Sequence, residues 1–206
     1  AFTGEPVPDE TITAILETAQ LSASWCNSQP WQLAIANGEG TLIGAGALCA
    51  EARQRDPEAP DIPWPREYRG VHRDRRRESG FQLYNALSID RGDHQRQRQQ
   101  MRENFRFFGA PHVAIIHVDD ALGPCGAVDC GGDVTAIMLA AAAHGVASVA
   151  QASLGLYPIV ARKLKLDDDR TIVCGLSFGY PDLTHPANSF RTTRAPLEQV
   201  VDGIDE

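Results

Sequence analysis

Between Val134 and Ala161 the chain carries no Asp, Glu, Lys or Arg. A stretch that long without charge either crosses a bilayer or lies inside a protein. A membrane span takes about 20 strongly apolar residues, whereas this one is alanine-rich and interrupted by His144, Gly145, Gln151 and Pro158. The expectation is a buried helix over Asp133–His144, closed by Gly145, since glycine most readily takes a left-handed cap. A buried strand or turn should follow, and no membrane partner is expected. The rest of the chain can enclose such a segment: 43% of residues are apolar and 22% charged, ordinary globular values. A chain of 206 residues corresponds to about one domain and buries about 70% of its unfolded surface without a disulfide or metal staple. One domain over 1–206 is expected.

The net charge of −8 makes nucleic acid and anionic membranes poor partners. Five cysteines, Cys26, Cys49, Cys125, Cys130 and Cys174, form no Cys-x-x-Cys pair and read as reduced thiols of a cytoplasmic protein. The first ten residues lack the basic start and apolar run of a secretory signal,.

Pro8-Asp9-Glu10 followed by Ile12, Ile15, Leu16 and Ala19 has the spacing of an amphipathic helix. A polar loop runs from Ser22 to Pro30. Trp31–Asn37 and Thr41–Ile43 flank Gly38-Glu39-Gly40 and predict a hairpin, with a short helix over Gly46–Arg55. Four prolines with Trp64 and Tyr68 make 56–70 an irregular excursion, the kind of segment that often carries function. Two surface helices are expected within His72–Phe108, a buried strand at His112–Val118, a helix at Leu156–Leu166, a second buried strand at Thr171–Phe178 and a last short helix at Leu197–Val201. The few strands favour an α+β fold, a central mostly antiparallel sheet packed by helices, over a doubly wound parallel sheet.

Several chemistries lack their residues. There is no dinucleotide fingerprint, P-loop or Gly-x-Ser-x-Gly elbow,. The six histidines are scattered, and His112 and His117, five apart in a strand, should face opposite sides of the sheet, so no metal is expected. Arg73, Arg75, Arg76 and Arg77 form a basic cluster that is either an anion patch or, with Asp74 and Glu78 between them, a solvated helix face. The loop Ser22–Trp31 differs. It gathers small polar residues, two amides and two tryptophans between a helix and a strand. Free backbone N–H groups and side-chain amides suit a polar, planar heteroaromatic ligand; the plainer alternative is an Asx-type turn with Trp31 in the core.

Ser24-Trp25-Cys26-Asn27-Ser28-Gln29-Pro30-Trp31 resembles the signature loop of the flavin-dependent nitroreductase family, Ser-x-x-Asn-x-Gln-Pro-Trp. Four further pieces occur in the family's order: Glu103-Asn104-Phe105 through Phe108-Gly109-Ala110-Pro111, Met138–Ala141 through Gly145-Val146, Cys174-Gly175-Leu176 through Gly179-Tyr180-Pro181-Asp182, and Arg191-Thr192-Thr193-Arg194. The resemblance spans about residues 1–200. It implies an interlocked homodimer with FMN at the subunit interface and NADH or NADPH as co-substrate. Nitroaromatic or quinone-like acceptors would be reduced by ping-pong hydride transfer through flavin N5, with no obligatory protein acid or base. Alternatives on the same fold are dehalogenation, ene reduction or flavin binding without turnover.

The same resemblance places the isoalloxazine ring against Ser24, Trp25, Cys26 and Asn27, with Gln29 in support. It sets backbone N–H groups of Ala150, Gln151, Ala152 and Ser153 near N5, and the phosphate on Arg191 and Arg194, where an arginine fork suits its oxygens. Trp64 and Tyr68 would cover the open face and select flat aromatic acceptors. The family's Arg-Arg-Ser-x-Arg segment would lie upstream of Ala1-Phe2-Thr3-Gly4. A chain opening on Ala without Met reads as trimmed there.

Overall fold

The computed structural model describes residues 1–54, 59–158, 166–167 and 169–203. Four antiparallel strands, β1 (Gln32–Asn37), β2 (His112–Asp119), β3 (Ala147–Gln151) and β4 (Arg170–Gly179), form one sheet in the order β1-β2-β4-β3. The α+β expectation with an antiparallel sheet holds. The buried strands lie where the β-branched runs placed them, and β2 and β4 occupy the sheet centre, where both faces are covered. Their pairing shifts register between Ile116 and His117.

The described residues form five α-helices: α1 (Asp9–Ala19), α2 (Glu39–Gln54), α3 (Gly70–Ala86), α4 (His94–Arg102) and α5 (Gly123–Ala143). Of these, α1 and α5 cover one face of the sheet and α2 the other, while α3 and α4 bury no residue. One core joins Ile12 and Ile15 of α1, Cys130, Val134 and Ile137 of α5, and Ala114, Ile116 and Leu176 of the sheet. The opposite face packs Val113, Ile115 and Ile172 against Leu48 of α2, Phe105, Phe107 and Leu154. His112 accepts a hydrogen bond from Val7 N–H on the α1 face (2.9 Å), while His117 sits opposite Ile172, on the other. The predicted split of the two histidines is observed.

The uncharged segment supplies the second half of α5, the turn at Gly145 and all of β3. The helix starts ten residues earlier than its predicted onset, at Gly123. By length and mean hydropathy (1.3 over its most apolar window) Asp120–Ala143 could cross a membrane, yet Gly126, Cys130, Val134, Ile137 and Ala141 bury one stripe of it on the sheet.

The expected hairpin is absent. Gly38, at φ +52°, ends β1, and Thr41–Ile43 form the first turn of α2 instead of a strand. Two forces decide this. Thr41 Oγ1 donates within reach of the carbonyls of Ala36 and Pro111, both at 2.9 Å, pinning the helix start to the sheet edge. Downstream, the alanines and Leu48 are strong helix formers that extend one continuous helix back through the β-branched pair. The two predicted surface helices are α3 and α4. Residues 159–165 of the helix predicted over Leu156–Leu166 lie outside the described residues; Leu156 itself ends a 3₁₀ turn, Ala152–Leu156. The last short helix is a single 3₁₀ turn, Leu197–Gln199.

Of the excursion at 56–70, residues 56–58 lie outside the described residues, 59–69 are irregular, and Gly70 already belongs to α3. Its start docks on the sheet, where Asp61 Oδ2 accepts from Ile172 N–H (2.9 Å).

Candidate functional site

The residues singled out in the sequence fall into three patches. The first is the loop between α1 and β1. Cys26, Asn27 and Gln29 all adopt left-handed backbone, at φ +51°, +55° and +46°, conformations that cost non-glycine residues energy unless the surroundings over-determine them. Here the surroundings do. Asn27 N–H donates to Ser24 O (3.0 Å) and Ser28 N–H to Trp25 O (3.0 Å), Gln29 N–H to Ser24 Oγ (2.9 Å), and Trp25 N–H to Asp129 Oδ2 of α5 (3.1 Å). An amide chain then ties the turn to the core. Buried Trp31 donates from Nε1 to Gln20 Oε1 (3.1 Å), Gln20 Nε2 to Gln29 Oε1 (3.1 Å), and Gln29 Nε2 to Asn27 Oδ1 (3.2 Å). The outcome is a stiff, exposed shelf of polar groups with Trp25 73% exposed at its rim. Gln20 and Asp129 carry much of that stiffness. Neither stands out in the sequence, because Asp129 meets Trp25 across 104 residues.

The second patch is the end of β3. Ala150 and Ala152 are exposed and Ser153 half-buried, while Gln151 is buried between them. The Gln151 side chain points inward, its Nε2 donating to Asn104 O (2.8 Å) and its Oε1 accepting from Ser177 Oγ. It clamps the strand end and leaves only its backbone for a ligand. The family-order piece at Glu103-Asn104-Phe105 thus has a structural use: Asn104 holds Gln151. Because β3 is an edge strand, its outer side has no strand neighbour among the described residues.

The third patch is the C-terminal segment. Arg191 donates to the carbonyls of Asn188 (3.0 Å) and Phe190 (2.8 Å), and Arg194 to Thr192 Oγ1 (2.7 Å) and Thr193 O (2.9 Å). Neither faces a carboxylate within ion-pair distance among the described residues. Arg194 lines a groove of about 750 Å³ against α3. The excursion runs toward it, with the Tyr68 ring 5.3 Å from the Arg76 guanidinium; Trp64 and Tyr68 are each 45% exposed. Within one protomer, no hydrogen bond among the described residues joins the loop at 24–29 to either of the other patches.

Titratable groups near the core are not arranged for catalysis. Burial pushes the thiols of Cys130 and Cys174 up to about 12 and about 11, so neither is a nucleophile at neutral pH. Burial lowers both His112 and His117. Asp133, 2% exposed with Oδ2 unpartnered among the described residues, is raised to about 6 by desolvation; it lines a cavity of about 200 Å³ with Gln20 and Trp31.

The donor set nonetheless matches a flavin mononucleotide. An isoalloxazine edge alternates neutral donors and acceptors, and the exposed amides of Asn27 and Gln29, the half-buried hydroxyl of Ser24 and the backbone beside exposed Ala150 and Ala152 offer both kinds. A phosphate needs cations without carboxylate partners, met by Arg191 and Arg194.

Comparison with known proteins agrees. The nitroreductase family model matches residues 1–180. The chain is similar to nitroreductase NfnB of Mycolicibacterium smegmatis, at 36% identity over 201 residues, covering 97% of this chain and 85% of that protein. It is 32% identical over 204 residues to a 4-nitrobenzoate reductase of Nocardioides sp., covering 95% and 81% respectively. The crystal structure of the FMN-dependent NfnB from Mycobacterium smegmatis in complex with NADPH superposes with a TM-score of 0.93 at 34% identity, over 100% of this chain and 92% of that one. The FMN and NADPH-dependent NfnB from Sphigopyxis sp. strain HMH does so with a TM-score of 0.95 at 31% identity, over 100% and 94%. The chain belongs to the nitroreductase family.

Proposed function

We propose that this protein is an FMN-dependent NAD(P)H oxidoreductase that reduces nitroaromatic or quinone-like acceptors, working as a homodimer with two interfacial sites. FMN held there would supply hydride transfer between the nicotinamide donor and the acceptor. The observation that carries the reading is the stiff shelf at 24–29 held against α5. Ser24, Trp25, Cys26 and Asn27 line the ring and Gln29 braces Asn27. The backbone of Ala150–Ser153 meets the ring's reactive edge, Arg191 and Arg194 take the phosphate, and Trp64 and Tyr68 border the acceptor. Nothing in these roles requires a titrating acid or base, which is consistent with histidines whose burial favours the neutral form. The relatives' names all specify nitro-group reduction, which favours that chemistry over dehalogenation or ene reduction.

The dimer explains the exposed apolar surface. Along α5, Val128, Gly132, Thr135, Leu139 and Ala142 are exposed and uncharged at helical spacing, with Val128 74% and Leu139 68% exposed. A stripe of that kind marks an interaction surface, and its small residues admit a closely packed second helix. Asp129 on the same helix holds Trp25, so the shelf lies beside the seam, and patches that share no hydrogen bond among the described residues of one protomer can be completed by two. All five cysteines carry free thiols, which supports a cytoplasmic setting.

The deciding experiment mixes purified protein with FMN, removes unbound flavin and adds NADPH anaerobically, then 4-nitrobenzoate. Retained yellow colour, bleaching by NADPH and recovery with 4-nitrobenzoate are expected. Protein that retains no flavin, or retained flavin that neither NADPH nor NADH bleaches, would overturn the proposal.

A further inference from the structure

The arginine cluster of α3 has no part in the proposed flavin site, yet two of its members share a groove with the phosphate-binding segment. Arg75 and Arg76 line one wall and Arg194 the other, in a groove of about 750 Å³. Arg73 is engaged elsewhere, with Asp74 at 3.6 Å. Arg75 donates to Gln199 Oε1 (3.0 Å), and Arg76 stands over the Tyr68 ring; neither has a carboxylate within ion-pair distance among the described residues. The groove's acid, Glu78, accepts from Thr193 Oγ1 (3.0 Å) and from Gln82 Nε2 (3.5 Å); it keeps its charge but forms no ion pair with Arg75, Arg76 or Arg194 among the described residues. Three guanidiniums against one carboxylate leave the groove net positive, a field that draws an anion.

FMN brings a single phosphomonoester, and Arg194 with Arg191 already provides for it. The remaining pair therefore calls for a second dianion carried by another ligand of the same site. Of the ligands the proposed reaction admits, one carries an additional phosphomonoester: NADPH, which differs from NADH only by its ribose 2′-phosphate. Size agrees: a groove of about 750 Å³ falls within the range of pockets that hold whole ligands, about 300–1,000 Å³, and exceeds what a lone phosphate fills. Resting on the flavoprotein reading, we propose that Arg75 and Arg76 recognise the 2′-phosphate of NADPH, making the groove between α3 and the C-terminal segment the element that selects NADPH over NADH.

The test has a binding arm and a kinetic arm. Titrating the wild-type protein calorimetrically with adenosine 2′,5′-bisphosphate and with adenosine 5′-monophosphate should show the bisphosphate binding about 10- to 100-fold more tightly, the scale of two charge-assisted contacts. In the Arg75→Gln/Arg76→Gln double variant that gap should close, and the ratio of kcat/KM for NADPH to that for NADH should fall by about the same factor. Equal affinity of the two nucleotides for the wild type would overturn the proposal. So would an equal loss with NADPH and NADH accompanied by weaker FMN binding, which assigns the arginines to the flavin phosphate. Weaker saturation by the nitrobenzoate acceptor alone, with both nicotinamide donors unaffected, assigns the arginines to the acceptor's carboxylate and would overturn it too. If the wild type took up no FMN, the flavoprotein reading would fall, while the nucleotide titration would still decide this one.

Discussion

At the scale of single residues, two buried groups set opposite pH dependences. His112 accepts from Val7 N–H at Nε2 and meets Asn37 Oδ1 at Nδ1 (2.7 Å), which fixes the neutral Nδ1–H form. Its folded-state value lies below the ordinary 6.5, chiefly through burial. The stability it contributes is present above about pH 6.5 and lost as pH falls through the folded value, where protonation breaks the bond to Val7. Asp133 runs the other way. Raised from 3.8 to about 6 by burial, it is most costly when ionised, above about pH 6, and that cost, on the order of 2–3 kcal/mol, is relieved as pH falls toward 4. In urea unfolding, His112→Gln, which keeps an acceptor for Val7, should flatten the loss of stability between about pH 7 and 5. Asp133→Asn should gain on the wild type as pH rises from about 4 to 7 and then level off; a constant offset at all pH values would contradict it. Gln20 offers a third test, because it links Trp31 to the shelf. Gln20→Leu should weaken FMN binding about 10-fold in a fluorescence titration, as one loop conformation gives way to several, with unfolding little changed.

At the scale of elements, the site depends on close approaches that backbone alone permits. A Cβ on Gly175 of β4 would lie 2.0 Å from Leu154 Cδ1 and 2.9 Å from its Cγ, and Leu154 is wholly buried in the turn that follows β3. Gly175→Ala should therefore cost about 1–3 kcal/mol as overpacking and displace the backbone beside Ala152, lowering flavin affinity as well. Gly80→Ala on α3, where nothing lies within 4 Å, should instead gain about 0.5–1 kcal/mol. The contrast also explains what could be read ahead of the structure. Periodicity located α1, β2, β4 and the α5–β3 segment because burial on one or both faces writes itself into the order of apolar residues. It misplaced Thr41–Ile43, where a threonine bonded to two carbonyls 5 and 70 residues away outweighs local β propensity. The loop residues 24–29 were legible through a family resemblance, whereas their supports, Gln20, Asp129, Asn104 and Ser177, were not. A polar residue that only braces another leaves no local pattern.

At the scale of the whole molecule, the proposed α5 seam would tie assembly to cofactor binding. Val128 and Leu139 lie about three helical turns apart on a face that buries nothing within the protomer, so a charge placed there does not enter the core. Burying an unpaired carboxylate between two α5 helices would cost several kcal/mol, enough to split a dimer into folded protomers. Leu139→Asp should thus run as a monomer in sedimentation velocity while keeping the far-ultraviolet dichroism and cooperative unfolding of a folded chain. Since the shelf at 24–29 and the arginines at 191 and 194 share no hydrogen bond among the described residues of one protomer, the monomer should also lose FMN. Retained flavin at full affinity in a monomeric Leu139→Asp would show that one chain completes the site alone. A dimeric Leu139→Asp would move the seam elsewhere, to the exposed Leu42 and Ile43 of α2 (74% and 64% exposed). Loss of dimer and flavin together, with the fold intact, is the result that two interlocked half-sites require.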